Sequence, residues 1–145
     1  MSTVSQRDAV FTPFMLRVRA TIDGEDTWVP PQLRPASDQS VAAATDAWFS
    51  LRARSEQVIA EANAMLTGRP LVDLDDEFGT GELAFVIRYG RQSARLSMGQ
   101  RGRKAWVELR QCGQPTARPL EPVDLSVLED LIIDMLWNER RNSDG

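Results

Sequence analysis

The chain has 145 residues, 42% of them hydrophobic and 26% charged, with a formal net charge of −4 at pH 7. That length accommodates one domain with a buried core, and no apolar run approaches the roughly 20 residues of a membrane span. The chain has no histidine and one cysteine, Cys112, which excludes a Ser-His-Asp triad, a Cys-His pair, an internal disulfide and most zinc or non-haem iron sites.

The opening "MSTVSQRDAV" is polar and has neither the basic nor the apolar region of a leader peptide. Residues 1–10 therefore read as a flexible N-terminus, 11–140 as a single α+β domain and 141–145 as a polar tail. A reducing, cytoplasmic setting fits the lone cysteine. Cys112 reads as a small semi-buried side chain near a strand end, because a thiolate nucleophile needs a base that the chain does not supply.

From Phe14 onward, Phe14, Leu16, Val18, Ala20 and Ile22 alternate with Met15, Arg17, Arg19 and Thr21, the period of a half-buried strand. Asp23-Gly24 is a strong hairpin signal, and Thr27–Val29 would be the returning strand. Pro30, Pro31 and Pro35 end it. Next, Val41, Ala44, Trp48, Leu51, Ser55, Val58, Ala62 and Met65 recur at spacings of three and four, which predicts one long helix. Ser37 or Asp38 can cap its start, and Gly68 with Pro70 close its end. The stripe includes a serine and two alanines, so it fits a helix laid across a sheet better than a coiled-coil seam.

Leu71, Val72 and Leu74 read as a short strand, followed by a turn at Gly79 and Gly81. The acids between them do not make an EF-hand. A loop starting at Asp73 would put Phe78 at the glycine position and Ala84 at the bidentate glutamate position.

Three period-2 segments follow: "ELAFVIRY", "QSARLSM" and "KAWVELR". With glycine turns between them they predict an antiparallel meander. A two-residue loop at Gly90-Arg91 pairs Tyr89 with Gln92, Ile87 with Ala94 and Phe85 with Leu96. A four-residue loop, "GQRG" (99–102), would pair Leu96 with Ala105 and Ala94 with Val107. The opposite face then carries Val86, Arg95 and Trp106 in one row, with Arg88 and Lys104 in the rows beside it. After further prolines, Ser126–Glu129 can form a capping box, and Leu125, Leu128, Leu131, Ile132, Met135 and Leu136 make the apolar face of a last helix. The whole predicts a two-layer α+β sandwich: N-terminal hairpin, long helix, meander of three or four strands, C-terminal helix.

Charge is unevenly placed. Residues 71–87 carry five acids and no base, and residues 88–104 carry six bases and no acid. Within the second stretch, Arg91, Arg101 and Arg103 fall at turns, and Arg88, Arg95 and Lys104 on the outer sheet face. A helix–meander–helix order is also that of double-stranded RNA-binding domains. Here, however, "EPVDLSVLED" at the last helix sets acids where such domains clamp phosphate.

These features point to a non-enzymatic protein-interaction domain: a small cytoplasmic adaptor, chaperone-like or immunity-type protein. It would act as a homodimer through its outer sheet face and long helix, with no cofactor or metal. Val86, Arg88, Arg95, Lys104 and Trp106 are the candidate binding residues, since Trp and Arg are enriched at interface hot spots. The alternative is nucleic-acid binding through the same basic and aromatic face. A further alternative is a small-ligand binder or histidine-free enzyme using Tyr89, Asp73, Asp75 and Glu82.

Overall fold

Alternation of apolar residues drives the meander, and a computed structural model of the protein, which describes residues 10–24, 39–77, 82–120 and 126–144, contains it in full. Strands β3 (Ala84–Tyr89), β4 (Gln92–Arg101) and β5 (Lys104–Gln111) are antiparallel neighbours. Strand β2 (Asp73–Asp76) adds to β3 at one edge. At the other edge, two short strands, β1 (Gln39–Ser40) and β6 (Arg118–Leu120), both pair with β5, one after the other along its length.

The first hairpin has the expected register, with Tyr89 opposite Gln92, Ile87 opposite Ala94 and Phe85 opposite Leu96. The second does not. Its turn is the two residues Gly102 and Arg103, so Leu96 faces Leu109 and Ala94 faces Gln111. Gly90 and Gly102 each open a two-residue turn with positive φ, 58° and 61°, the geometry that matches strand twist in a tight hairpin. Gly99, expected in a loop, lies inside β4. A Cβ there would stand 2.4 Å from the Trp106 indole nitrogen, so the ring covers the gap that glycine leaves in the strand. The shift from the expected pairing is four residues. Because side chains alternate with period 2, inner residues stay inner and every cross-strand neighbour changes.

The long helix, α2 (Val41–Ala64), is 24 residues and about 36 Å at 1.5 Å per residue. Its cap is Ser40, whose hydroxyl accepts from the Ala43 amide at 3.2 Å; Ser37 and Asp38 lie outside the described residues. Ala44, Trp48, Leu51, Ser55, Val58 and Ala62 are buried against the inner sheet face and the C-terminal helix. The Trp48 indole N–H donates to the Leu96 carbonyl at 3.2 Å, and the Ser55 hydroxyl donates to the Leu51 carbonyl at 2.8 Å, so the polar member of the stripe is satisfied. The stripe is spent inside the fold. After α2, the Asn63 side chain clasps Val72 on both its N–H and its carbonyl, at 2.8 and 3.0 Å. This seats Val72 in the core and leads the chain into β2.

The C-terminal helix, α3 (Val127–Asp144), starts directly after Ser126 and buries Leu128, Leu131, Ile132, Met135 and Leu136 as expected. It runs through Arg141 to Asp144, where a tail was expected, while Leu125 lies outside the described residues.

The N-terminal reading needs correction. Residues expected as a strand form helix α1 (Pro13–Asp23), which packs on α2 and α3. Its inner side is Phe14, Met15, Val18 and Thr21, while Leu16 is 47% exposed, a spacing of one, three and three that only a helix brings to one side. Thr12 caps it, accepting from the Met15 amide at 3.1 Å, Pro13 occupies the first turn and Gly24 ends it in the left-handed region. The expected partner strand, Thr27–Val29, and the Gly79–Gly81 turn lie outside the described residues. The architecture is α+β, with the helices gathered on one face of an antiparallel sheet.

Candidate partner-binding face

The register determines what the outer face presents. From β2 to β5 its rows read Asp73, Arg88, Ser93; then Asp75, Val86, Arg95, Arg110; then Ala84, Ser97, Glu108. The Cys112 amide donates to the Ser93 carbonyl at 2.9 Å and extends the first row by one residue. Of the five candidate residues, Val86, Arg88 and Arg95 line one cleft of ≈310 Å³ together with Arg110 and Glu77. Lys104 and Trp106 do not join them. Trp106 sits roughly 13 Å along β5 from Arg110, at about 3.3 Å per residue, and its indole N–H donates to the Glu108 carboxylate at 2.8 Å. The expected Arg95–Trp106 neighbourhood is therefore replaced by Arg95 beside Arg110.

The acidic and basic stretches answer each other across this face. Arg88 pairs with Asp75. Arg95 pairs with Glu77 at 3.0 Å and Glu82 at 2.5 Å. On the inner side of the sheet, Arg52 of α2 makes a two-pronged contact with Asp76, both bonds 2.7 Å. Arg110, by contrast, is exposed and makes no ion pair among the described residues. Val86 is 6% exposed and forms the floor.

Glu77 shows what the cleft favours. Its carboxyl is held below the usual range first by the hydrogen bond from Arg95, against a smaller opposing effect of burial, and then by the fields of Arg95, Arg110 and Arg88. Three guanidinium groups on three neighbouring strands thus act on one carboxylate. Arg95 is in turn raised, chiefly by Glu77 and Glu82. Such charge-assisted contacts with a planar guanidinium suit carboxylate recognition.

Arg110 was outer-facing in the alternation of "KAWVELR", but the longer loop would have set it opposite Arg91 at the far turn. The missed signal was Gly102-Arg103, a second Gly-first pair like Gly90-Arg91. Tyr89, Asp73, Asp75 and Glu82 are not brought together: Tyr89 shares the inner face with Ile87, whereas Asp73 and Asp75 have the outer alternation and Glu82 bonds Arg95. Among the described residues no group of three or more Asp, Glu or Cys is placed to hold a metal ion. Cys112, expected to be semi-buried, is exposed, because it lies just past the end of β5, and its thiol lies 3.6 Å from the Arg91 carbonyl. No described helix is long and apolar enough to cross a membrane.

Fold and cleft together define an α+β domain with helices on one sheet face and an arginine-lined cleft on the other. Comparison with protein families, with curated proteins and with solved structures yields no match.

Proposed function

We propose that this chain is a non-enzymatic interaction domain of the cytoplasm whose outer-face cleft holds an acidic stretch of a protein partner. The observation that carries the reading is that Arg88, Arg95 and Arg110, from three adjacent strands, line one cleft in which Arg95 already holds a carboxylate, Glu77, at 3.0 Å. A partner's Asp or Glu side chains would meet the same donors, with Arg110 the one cleft cation that has no ion pair among the described residues. Arg110→Glu reverses that charge without releasing any of the acids paired with Arg88 and Arg95.

Nucleic-acid binding has less support, because a net charge of −4 opposes the long-range attraction on which polyanion binding depends; Arg88 and Arg95, engaged by Asp75, Glu77 and Glu82, are no more open to phosphate than to carboxylate. Self-association would use the exposed Val41 and Phe49 of α2, since the buried stripe of that helix is occupied. Sedimentation at tens of micromolar tests that part, and a monomer alone would remove it.

The binding claim is tested by titrating a fluorescein-labelled Asp/Glu-rich decapeptide into the protein, with a single-stranded DNA decamer as control. Saturable, salt-sensitive binding of the peptide that Arg110→Glu abolishes is expected. Equal or tighter binding of the DNA, or peptide binding that ignores Arg110→Glu, contradicts it.

A further inference from the structure

A second cavity lies on the helical side of the sheet, where the C-terminal turns of α1 and α3 meet the β3–β4 turn and the loop after α2. It measures ≈310 Å³ and is lined by Ile22 and Leu136 on its apolar side, and by Arg69, Tyr89, Glu139 and Arg140 on its polar side. That volume is at the lower end of the roughly 300–1,000 Å³ of small-ligand sites.

The polar groups are incompletely used. Tyr89 is only 8% exposed, yet its hydroxyl has no hydrogen-bond partner among the described residues. Buried polar groups are nearly always bonded, so an orphan at a cavity wall points to something that completes it. The Arg140 guanidinium lies against Gly24, so close that a Cβ there would stand 2.3 Å from it. Neither Arg140 nor Arg69 makes an ion pair among the described residues. Glu139 is directed to the β3–β4 turn, where it accepts from the Arg91 amide at 3.1 Å. Two uncommitted cations and one committed carboxylate leave the cavity with an excess of one positive charge. The apolar wall of Ile22 and Leu136 faces them.

We propose that this cavity is a binding site for a small organic anion, whose carboxylate or phosphate head is held by Arg69, Arg140 and the Tyr89 hydroxyl and whose apolar body rests on Ile22 and Leu136. The head accepts hydrogen bonds from the phenol and from both guanidinium groups, which suits a planar or tetrahedral oxyanion. A body of one ring fits within the remaining space.

Tyr89 is the only tyrosine in the chain, so tyrosine labelled with ¹³C at the ring carbon bearing oxygen gives one resonance that reports from inside the cavity. Benzoate and phenyl phosphate should each shift it saturably, while inorganic phosphate and benzyl alcohol, which lack one half of the recognised structure, should bind more weakly. Arg69→Gln and Arg140→Gln should each weaken binding about tenfold, the usual scale of a lost charge-assisted bond. Glu139→Gln removes the cavity's own carboxylate and should tighten binding, a gain that a folding defect cannot imitate. No saturable shift with either organic anion, or shifts unchanged in both arginine variants, overturns the proposal. Equal binding of inorganic phosphate and phenyl phosphate overturns the role of the apolar wall.

Discussion

Trp48 joins the long helix to the sheet through a single buried atom pair, its indole nitrogen and the Leu96 carbonyl, and its ring meets Phe85 edge-on at 5.4 Å. Trp48→Phe keeps most of the ring and loses the donor, and should lower stability by about 1–2 kcal/mol in chemical denaturation. Ion pairs at the neighbouring edge give a pH dependence. Asp76 is held below its ordinary value by the hydrogen bonds from Arg52, against a smaller effect of burial, and Glu77 likewise by Arg95. Folded carboxyls with depressed values bind fewer protons than unfolded ones in acid. Their contribution is therefore complete above the ordinary values of 3.8 and 4.5 and is lost as the pH falls through the lowered folded ones. Arg52→Met should flatten the acid limb of a stability-versus-pH curve at the Asp76 end, and an unchanged limb would show that the pair contributes nothing. Tyr89 moves the other way. Burial, with a smaller push from Glu139, raises it above 10, and Arg69 opposes, so a spectrophotometric titration should show one phenol ionising late.

At the scale of elements, α1 shows where periodicity alone runs out. Over nine residues, Phe14, Val18 and Ile22 satisfy both a period of two and a helical period, and Arg17 and Arg19 look outward in either. What separates them is local chemistry at the ends, Thr12-Pro13 at the start and Gly24 after the last turn, and those residues were legible. Thr12→Ala removes the cap and should cost about 1 kcal/mol, read as a lower denaturation midpoint. The meander was legible in its faces for the opposite reason. Three strands must each bury one side, and a one-residue error would expose Phe85, Leu96 and Leu109, all of which are at most 1% exposed. A four-residue error costs no burial, so the hydrophobic pattern could not detect it. Only the preference of Gly102-Arg103 for a tight turn, with Trp106 covering Gly99, distinguishes the two registers. In a Cys112→Ser background, Arg95→Cys with Arg110→Cys should cross-link under oxidation, while Arg95→Cys with Trp106→Cys should not. The reverse outcome would restore the longer loop.

For the whole molecule, the register decides the site as well as the fold. The uneven charge along the chain looked like a basic ribbon beside an acidic one. Folding lays one across the other, through Arg88 with Asp75 and Arg95 with Glu77 and Glu82. The cleft cation with no ion pair among the described residues is Arg110, which lies outside the basic ribbon in sequence and becomes its neighbour only through β4–β5 pairing. Val86, Arg88 and Arg95 were therefore readable as one outer patch, whereas the fourth member was not. Trp106 and Lys104, grouped with them by an incorrect loop, belong to the far end of the sheet.

The central claim is that this cleft receives acidic protein segments, and amide chemical shifts measured on ¹⁵N-labelled protein during titration with an Asp/Glu-rich peptide test it most directly. The account predicts saturable changes concentrated at Arg88, Ser93, Arg95, Arg110 and Cys112, and their loss in Arg110→Glu. Changes centred instead on Trp106 and Lys104, or none at all under low-salt conditions, would contradict it.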